Sequence, residues 1–240
     1  MIDLHHHCLP GVDDGPETLG EAVGQCRAAY EDGIRTVVAT PHRFHPQFDV
    51  PPDAARGAHG ALTAALEKEG VALEVLLGHE VHWNEEALPS LRSGSSFRLG
   101  GNPRWFLLEL PSSHAPAHLE RLVFDLQLAG LYPILAHPER NAELAGSSPR
   151  MQALRRQGVG VQVTASALEG EWGRKAQRAA EAWLKEGLVD FLATDAHGTG
   201  RRPPRLRAAV DLAASWIGAE AAGRLVGENP GKVLRGEALR

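Results

Sequence analysis

Two cysteines in 240 residues, Cys8 and Cys26, leave no material for a disulfide framework or a structural cysteine–zinc site. Aromatic residues make up only 5% of the chain, and no basic–aromatic strip of the kind that binds nucleic acid is visible. Positive charge is also scarce. Against 30 Asp and Glu stand 25 Lys and Arg, and the net charge of −5 argues against broad binding to nucleic acid or to an anionic membrane. No apolar stretch approaches a membrane span, and the N-terminus lacks a basic segment followed by an apolar one. A cytoplasmic protein with no membrane insertion and no nucleic-acid partner is the expectation. The chain has no long linker, short repeat or low-complexity tract, and its 43% hydrophobic content suffices for one large core. A single domain over residues 1–240 is therefore expected.

Histidine is what the chain has in excess, with twelve against two tyrosines. Their positions carry the information, because they and several carboxylates fall just after short apolar runs. Met1-Ile2-Asp3-Leu4 runs into His5-His6-His7, and Thr36 to Thr40 runs into Pro41-His42. Val75 to Gly78 leads to His79-Glu80, and Trp105 to Leu108 leads to Glu109. Pro133 to Ala136 leads to His137, and Phe191 to Thr194 leads to Asp195-Ala196-His197. Buried strands of a parallel α/β sheet read as such runs, and ligands bind beyond their carboxyl ends. Residues from His5 to His197 would converge on one mouth.

Helical stretches separate the runs. Glu17 to Glu31 puts Ala22, Cys26, Ala29 and Tyr30 on one face and ends at Asp32-Gly33. Pro52-Asp53 opens a helix through Glu69, stopped by Gly70. Asn84 to Leu91, Pro116 to Ala129, the stretch from Ser148-Pro149 to Gly158, Gly170 to Glu186, and Pro203 onward complete the set, with a further strand at Gln157 to Thr164. Alternation over about seven strands favours a parallel α/β barrel, with an open, doubly wound sheet as the competing architecture. Arg43 to Val50 and Glu143 to Pro149 read as loops near the mouth.

Side chains two apart on a strand share a face, so His5 and His7 can grip one ion while His6 points elsewhere. His42, Glu80, Glu109, His137, Asp195 and His197 extend the donor set without a competing thiolate cluster. Buried carboxylates are costly unless paired or bound to a cation. Mixed nitrogen and oxygen donors suit Mn²⁺, Fe²⁺ or Zn²⁺, and the donors outnumber what one ion needs. Two or three ions bridged by a carboxylate are expected.

These residues resemble the PHP (polymerase and histidinol phosphatase) superfamily. The opening Met1-Ile2-Asp3-Leu4-His5-His6-His7-Cys8-Leu9-Pro10-Gly11-Val12-Asp13-Asp14-Gly15 is similar, more narrowly, to the bacterial protein-tyrosine phosphatases of capsule and exopolysaccharide operons, the CpsB/CapC/YwqE group. Ala39-Thr40-Pro41-His42, Gly78-His79-Glu80, Leu108-Glu109-Leu110-Pro111, Ala136-His137-Pro138-Glu139-Arg140, Thr194-Asp195-Ala196-His197 and Glu228-Asn229-Pro230 follow in that group's order. His6 stands where the group usually has serine, and Cys8 where it usually has an aliphatic residue. The resemblance implies a distorted (β/α)7 TIM-like barrel, the PHP fold, with a trinuclear, commonly Mn²⁺-supported site. It implies that His5, His7, Glu109 and Asp195 hold one ion and that Glu80, His42, His137, Asp14 and His197 serve the others, with Glu80 or Glu109 bridging. It also implies phosphoryl contacts from Arg140 and from Arg202, seven positions past Asp195, with Arg201 as neighbour.

The expected activity is hydrolysis of phosphotyrosine on a protein, by hydroxide from a metal-activated water. The partner implied by the resemblance is the tyrosine-rich tail of a bacterial tyrosine kinase in polysaccharide biosynthesis. A phenol leaves more readily than an alkanol, and no general acid stands out among His45, His79, His82 and His114, each of which reads as a supporting or surface histidine. Trp83 and Phe44 are candidate flanks for an aromatic substrate, and Arg43 and Arg104 candidate contacts for an acidic peptide. Cys8 and Cys26 read as core, since Cys8 lacks the arginine-ended phosphate loop of cysteine phosphatases. Competing readings are a histidinol-phosphate type phosphatase, a PHP phosphodiesterase or exonuclease, and a metal-bound regulatory module without turnover. An amidohydrolase would want a bridging lysine where this chain has Glu109.

Overall fold

The computed structural model describes residues 1–84, 87–93 and 97–239. In chain order the strands and helices are β1 (Ile2–His6), α1 (Leu19–Asp32), β2 (Thr36–Ala39), β3 (His42–Arg43), α2 (Pro52–Lys68), β4 (Glu74–Leu77), β5 (Glu80–His82), α3 (Ala87–Ser93), β6 (Trp105–Glu109), α4 (Leu119–Leu128), β7 (Tyr132–Ala136), α5 (Ser148–Arg156), β8 (Gly160–Thr164), α6 (Ala165–Leu168), α7 (Gly173–Lys185), β9 (Phe191–Ala193), α8 (Arg207–Ile217), α9 (Ala219–Arg224) and α10 (Glu228–Leu234). Positions 85 and 86 of the expected Asn84–Leu91 helix lie outside the described residues. No described helix is long and apolar enough to cross a membrane.

Local chemistry accounts for the boundaries. Thr18 caps α1 by accepting from Glu21 N, and the Glu21 carboxylate returns bonds to the Thr18 and Glu17 amides. Such a reciprocal box is worth about 1 kcal/mol. Gly33 ends the helix at φ 100°, in the left-handed region that glycine enters freely. The helix buries Ala22, Val23, Cys26 and Ala29, close to the expected face. The expected helix from Pro203 onward is three shorter ones, because Gly218 at φ 87° breaks the first.

All described strand pairs are parallel. The orders are β1-β2-β4 in one sheet and β3-β5-β6-β7-β8-β9 in the other. Both follow the chain without the order reversal that defines a doubly wound sheet. β2 and β3 are separated at Thr40-Pro41, and β4 and β5 at Gly78-His79; the short β3 and β5 lie beyond the expected runs, and Arg43, expected in a loop, belongs to β3. Across the breaks Gly78 N still donates to Ala39 O, and Glu80 N to Pro41 O. At the other edge an isolated parallel bridge pairs His6 with Ala196; Asp195 N donates to His5 O, and His7 N to Ala196 O. The Asp3 carboxylate adds bonds from Thr194 N and Oγ1, tying β1 to the end of β9.

Strands β6 to β9 are buried on both faces, as parallel strands covered by helices must be. One apolar cluster includes Phe106, Leu108, Leu122, Val163 and Trp183. A second holds Leu4, Val38, Leu107, Ile134 and Phe191. Each fully buried Leu, Ile or Phe side chain contributes about 1.5–3 kcal/mol. Both cysteines sit in the first cluster, fully buried and free. Contact with Cys26, then burial, pushes the Cys8 thiol well above its ordinary range, which removes it as a nucleophile.

Candidate metal centre

The carboxyl ends of the strands carry the histidines and carboxylates into one buried cluster. His5 and His7 turn the same way from β1 and bring their Nε2 atoms within 3.2 Å. His6 points to the other side, toward Gln25 of α1 at 3.4 Å. Glu80, at the start of β5, sits among four imidazoles. Its Oε1 is 3.4 Å from His5 Nε2 and 2.9 Å from His137 Nε2, and its Oε2 is 3.4 Å from His7 Nε2 and 3.0 Å from His42 Nδ1. Asp195 Oδ1 lies 3.2 Å from His5 Nε2 and 3.5 Å from His7 Nε2. Asp14 Oδ1 is 3.1 Å from His197 Nε2 and 3.4 Å from His42 Nε2.

The outer ring nitrogens are tied down by groups that sequence reading did not single out. His5 Nδ1 donates to Gln162 Oε1 at 3.0 Å, His7 Nδ1 to Asp13 Oδ2 at 2.8 Å, and His197 Nδ1 to the Asp195 carbonyl at 2.9 Å. With Nδ1 committed, each Nε2 faces inward and offers its lone pair once deprotonated, as metal-binding histidines do. Gly15 lets Asp13 and Asp14 approach, since a Cβ there would meet the His7 carbonyl oxygen at 2.7 Å.

The donors fit divalent cations. Among the described residues, Glu80 Oε2, Asp195 Oδ1 and His42 Nδ1 are buried without a hydrogen-bond partner of acceptable geometry. A buried carboxylate oxygen left so costs stability unless a cation meets it. The ligand atoms fall into groups within 4.8 Å of one another: His5, His7 and Glu80; His5, His137 and Asp195; His7, Asp14, His42 and His197; His42, Glu80 and Glu109. The expected partition changes: His137 stands with His5 and Asp195, His7 also with Asp14, His42 and His197, and Glu80, not Glu109, with His5 and His7. Register explains the last of these, because β5 and β6 pair Glu80 with Leu107 and His82 with Glu109. Glu109 accordingly accepts from His82 Nδ1 at 2.8 Å.

Protonation behaves as in a cluster that holds protons where it would hold metal. Burial alone would raise the Glu80 carboxyl, but His5, His42 and His137 outweigh it and keep it well below the carboxylate range. Burial likewise opposes ionisation of Asp195, and His5, Arg140 and Arg202 overcome it. Burial lowers His7 and His42, yet Asp13 raises His7 to about 9 and Glu80 with Asp14 raises His42 to about 11. His197 falls to about 4, through burial and then repulsion from His7.

Two arginines meet the same carboxylate. Arg140 Nη1 is 2.7 Å from Asp195 Oδ2 while its Nη2 donates to Thr164 Oγ1 at 2.7 Å. Arg202 Nη2 also pairs with Asp195 Oδ2, and its Nη1 lies 2.9 Å from His197 Nε2. Arg201 is exposed and is not among the described residues lining the cavity. His137, Asp195 and Arg202 have φ of 34°, 51° and 52°, a left-handed backbone that costs non-glycine residues of order 1–3 kcal/mol each. Strain of this kind gathers at functional sites.

Asp14, His42, Glu80, His137, Asp195 and both arginines line a cavity of about 320 Å³. A larger one, about 590 Å³, opens at the amino ends of the strands beside Arg104, Trp105 and Tyr132. Among its described lining residues it has one carboxylate, Glu186, and no histidine, so the candidate metal donors gather at the smaller cavity. The expected aromatic flanks are corrected. Trp83 is buried edge-on to His118, and Phe44 packs on Phe97, whereas Phe48 and Trp172 line the cavity. His45 also lines it, stacked on His42 at 4.6 Å. Arg43 is taken up by Asp49, and Arg104 lies at the far end over Tyr132.

A parallel α/β fold with polynuclear-type donors and two arginines at its strand ends defines a candidate metallohydrolase. The chain belongs to the capsular polysaccharide synthesis family CpsB/CapC, whose profile matches residues 1–235. It is 33% identical over 239 residues to the tyrosine-protein phosphatase YwqE of Bacillus subtilis, covering 100% of this chain and 93% of that protein. It is 26% identical over 244 residues to the tyrosine-protein phosphatase CpsB of Streptococcus pneumoniae, covering 100% of both. A crystal structure from work on YwqE and CpsB as metal-dependent tyrosine phosphatases superposes with a TM-score of 0.92 at 33% identity, over 99% of this chain and 95% of that one. A histidinol phosphate phosphatase from Lactococcus lactis, solved with zinc, shares only the fold, at TM-score 0.57 and 14% identity over 93% of this chain and 95% of that one.

Proposed function

We propose that this chain is a manganese-dependent protein-tyrosine phosphatase, one domain built as a distorted (β/α)7 barrel and acting in the cytoplasm. Its substrate is phosphotyrosine on a protein, the tyrosine-rich tail of a bacterial tyrosine kinase of polysaccharide biosynthesis. The observation that carries the reading is the meeting of unpartnered buried carboxylate oxygens, inward-facing imidazoles and two arginines on one cavity. The activity named for YwqE and CpsB, whose lengths this chain spans, supports it.

His5, His7, Glu80 and Asp195 would hold one ion and Asp14, His42 and His197 another; Glu109, grouped with His42 and Glu80, and His137, 2.9 Å from Glu80 Oε1, would complete the set. When bound, such ions neutralise phosphoryl charge and lower the pKa of water enough to give hydroxide near neutral pH. The remaining work falls to the chain. Asp13 and Gln162 hold His7 and His5 in the ligating tautomer. Arg140 and Arg202, anchored by Asp195, aim planar guanidiniums into the cavity, where they suit the phosphoryl oxygens and their growing charge. Hydrolysis joins a water oxygen to phosphorus and breaks the bond to the phenol oxygen. A phenolate with a pKa of about 10 leaves with little help, so no dedicated acid is required.

The test is hydrolysis of a phosphotyrosine peptide beside histidinol phosphate and a phosphodiester, in EDTA and then with added Mn²⁺. Mn²⁺-dependent release from the peptide alone is expected. Preference for either competitor would move the protein to another branch of the fold, and no turnover with metal bound would end the phosphatase reading.

A further inference from the structure

Trp172 is a large apolar side chain, 39% exposed, at the rim of the cavity immediately before α7. Its indole Nε1 donates to Ser166 Oγ at 2.9 Å, which fixes the ring against α6. Over that ring lies the Arg140 guanidinium, with Cζ 3.5 Å from the centroid, and Arg202 Cζ is 5.4 Å away. Asp195 and Thr164 hold the two Nη atoms of Arg140, but its Nε is buried without a hydrogen-bond partner, so hydrogen bonding leaves rotation of the guanidinium about the Nη–Nη line unrestrained. Stacking holds a guanidinium by its face and leaves its in-plane N–H groups free to donate.

We propose that Trp172 is a positioning residue for the phosphate clamp: its ring sets the plane of Arg140, and secondarily of Arg202, so that their free N–H groups converge on a phosphoryl group in the cavity. The inference rests on the phosphatase reading and adds a residue to it. Because the face nearest the arginines is covered, Trp172 acts through them rather than by stacking on the substrate ring. Its effect should then be shared by every phosphate monoester, aromatic or not, and by inorganic phosphate.

The experiment uses the metal-loaded full chain. The inhibition constant of inorganic phosphate and kcat/KM for phosphotyrosine peptide and for an alkyl phosphate are compared in wild type, Trp172→Ala, Trp172→Phe, Arg140→Ala and the Trp172→Ala/Arg140→Ala double variant, with metal content counted in each. Trp172→Ala should weaken phosphate inhibition and lower kcat/KM by roughly 2- to 30-fold, the range of one cation–π contact. Metal content should stay unchanged, and Trp172→Phe should recover most of the loss. In the Arg140→Ala background the same change should have a clearly smaller effect. Equal phosphate affinity in wild type and Trp172→Ala, a loss confined to the aromatic substrate, or full additivity in the double variant would each overturn the proposal. Wild type that neither turns over phosphotyrosine nor binds phosphate would instead remove the phosphatase reading itself, and the clamp with it.

Discussion

Replacing Arg140 with alanine removes a guanidinium that touches Asp195, Thr164 and Trp172 but leaves Asp195 its second partner, Arg202. The fold and the metal ligands should therefore survive, and the loss should fall on catalysis. A preorganised donor aimed at charge that develops in the transition state is worth about 2.7–4 kcal/mol, or 10²–10³ in kcat. Arg140→Ala should lower kcat/KM toward a phosphotyrosine peptide by about that factor at saturating Mn²⁺. Arg140→Lys keeps a charge but loses the planar fork and the stack, and should lose about 10- to 30-fold. Metal content measured in the same samples separates the explanations. Activity within about threefold of wild type would refute the clamp; a large loss with parallel loss of metal would show that Arg140 serves Asp195 rather than the phosphoryl group.

His137→Ala removes a donor 2.9 Å from Glu80 Oε1 and should abolish nearly all turnover. Changes to groups that merely support a ligand already cost about 10- to 100-fold in metal affinity, so the drop should be at least that large; a fully active variant would discard the assigned site. Metal binding to chelated protein at pH 8 should release at least about two protons per chain, because His7 and His42 are raised to about 9 and about 11, His5 is also raised, and all three must be neutral to ligate. Calorimetry in buffers of different ionisation enthalpy reads this directly, and an unchanged apparent heat would contradict it. His6 is lowered to about 3 by burial and then by its histidine neighbours, below an unfolded value of about 6.5. The unfolded chain then binds the proton that the native state refuses, so the stability conferred by neutral His6 is present above pH 6.5 and drains as pH falls toward 3. The cost is about 1.4 kcal/mol per unit, and chelated wild type should lose about 2–3 kcal/mol more than His6→Asn between pH 6.5 and 4.5 in urea unfolding. Parallel curves would clear His6 of the effect.

The strands were legible because buried parallel strands are apolar throughout and end abruptly at polar residues. Each of the seven expected runs contains a strand. The alternation that sends His5 and His7 one way and His6 the other is equally local and was equally readable. What depends on register between strands was not. Glu80 and Glu109 look equivalent in sequence, and only the pairing of His82 with Glu109 separates them. Nor does periodicity give the direction of loop side chains, so the sequence offers Trp83 and Phe44 as flanks and does not reveal that Phe48 and Trp172 line the cavity. Asp3, Thr164 and Gln162 are single polar residues whose partners lie across the fold. A polar side chain inside an apolar strand, such as Gln162 between Val161 and Val163, was the available signal for one of them.

Charge explains why these parts belong together. Asp13, Asp14, Glu80, Glu109 and Asp195 bring five negative charges to a small volume, and Arg140 and Arg202 return two. The remainder, three negative, cannot stay buried without cations, and protons on His7 and His42 are the substitute available to the bare chain. Three divalent ions would reverse the sign to three positive, which a phosphate monoester dianion and one hydroxide together neutralise. Two ions would leave the site short of the charge needed for both reactants. The same count explains the position of Asp195: bonded to both arginines on Oδ2 and facing His5 with an unpartnered Oδ1, it would link the charge proposed to hold cations to the charge proposed to hold phosphate. Asp195→Asn should therefore damage metal binding and phosphate affinity together, whereas Arg140→Ala should damage only the second.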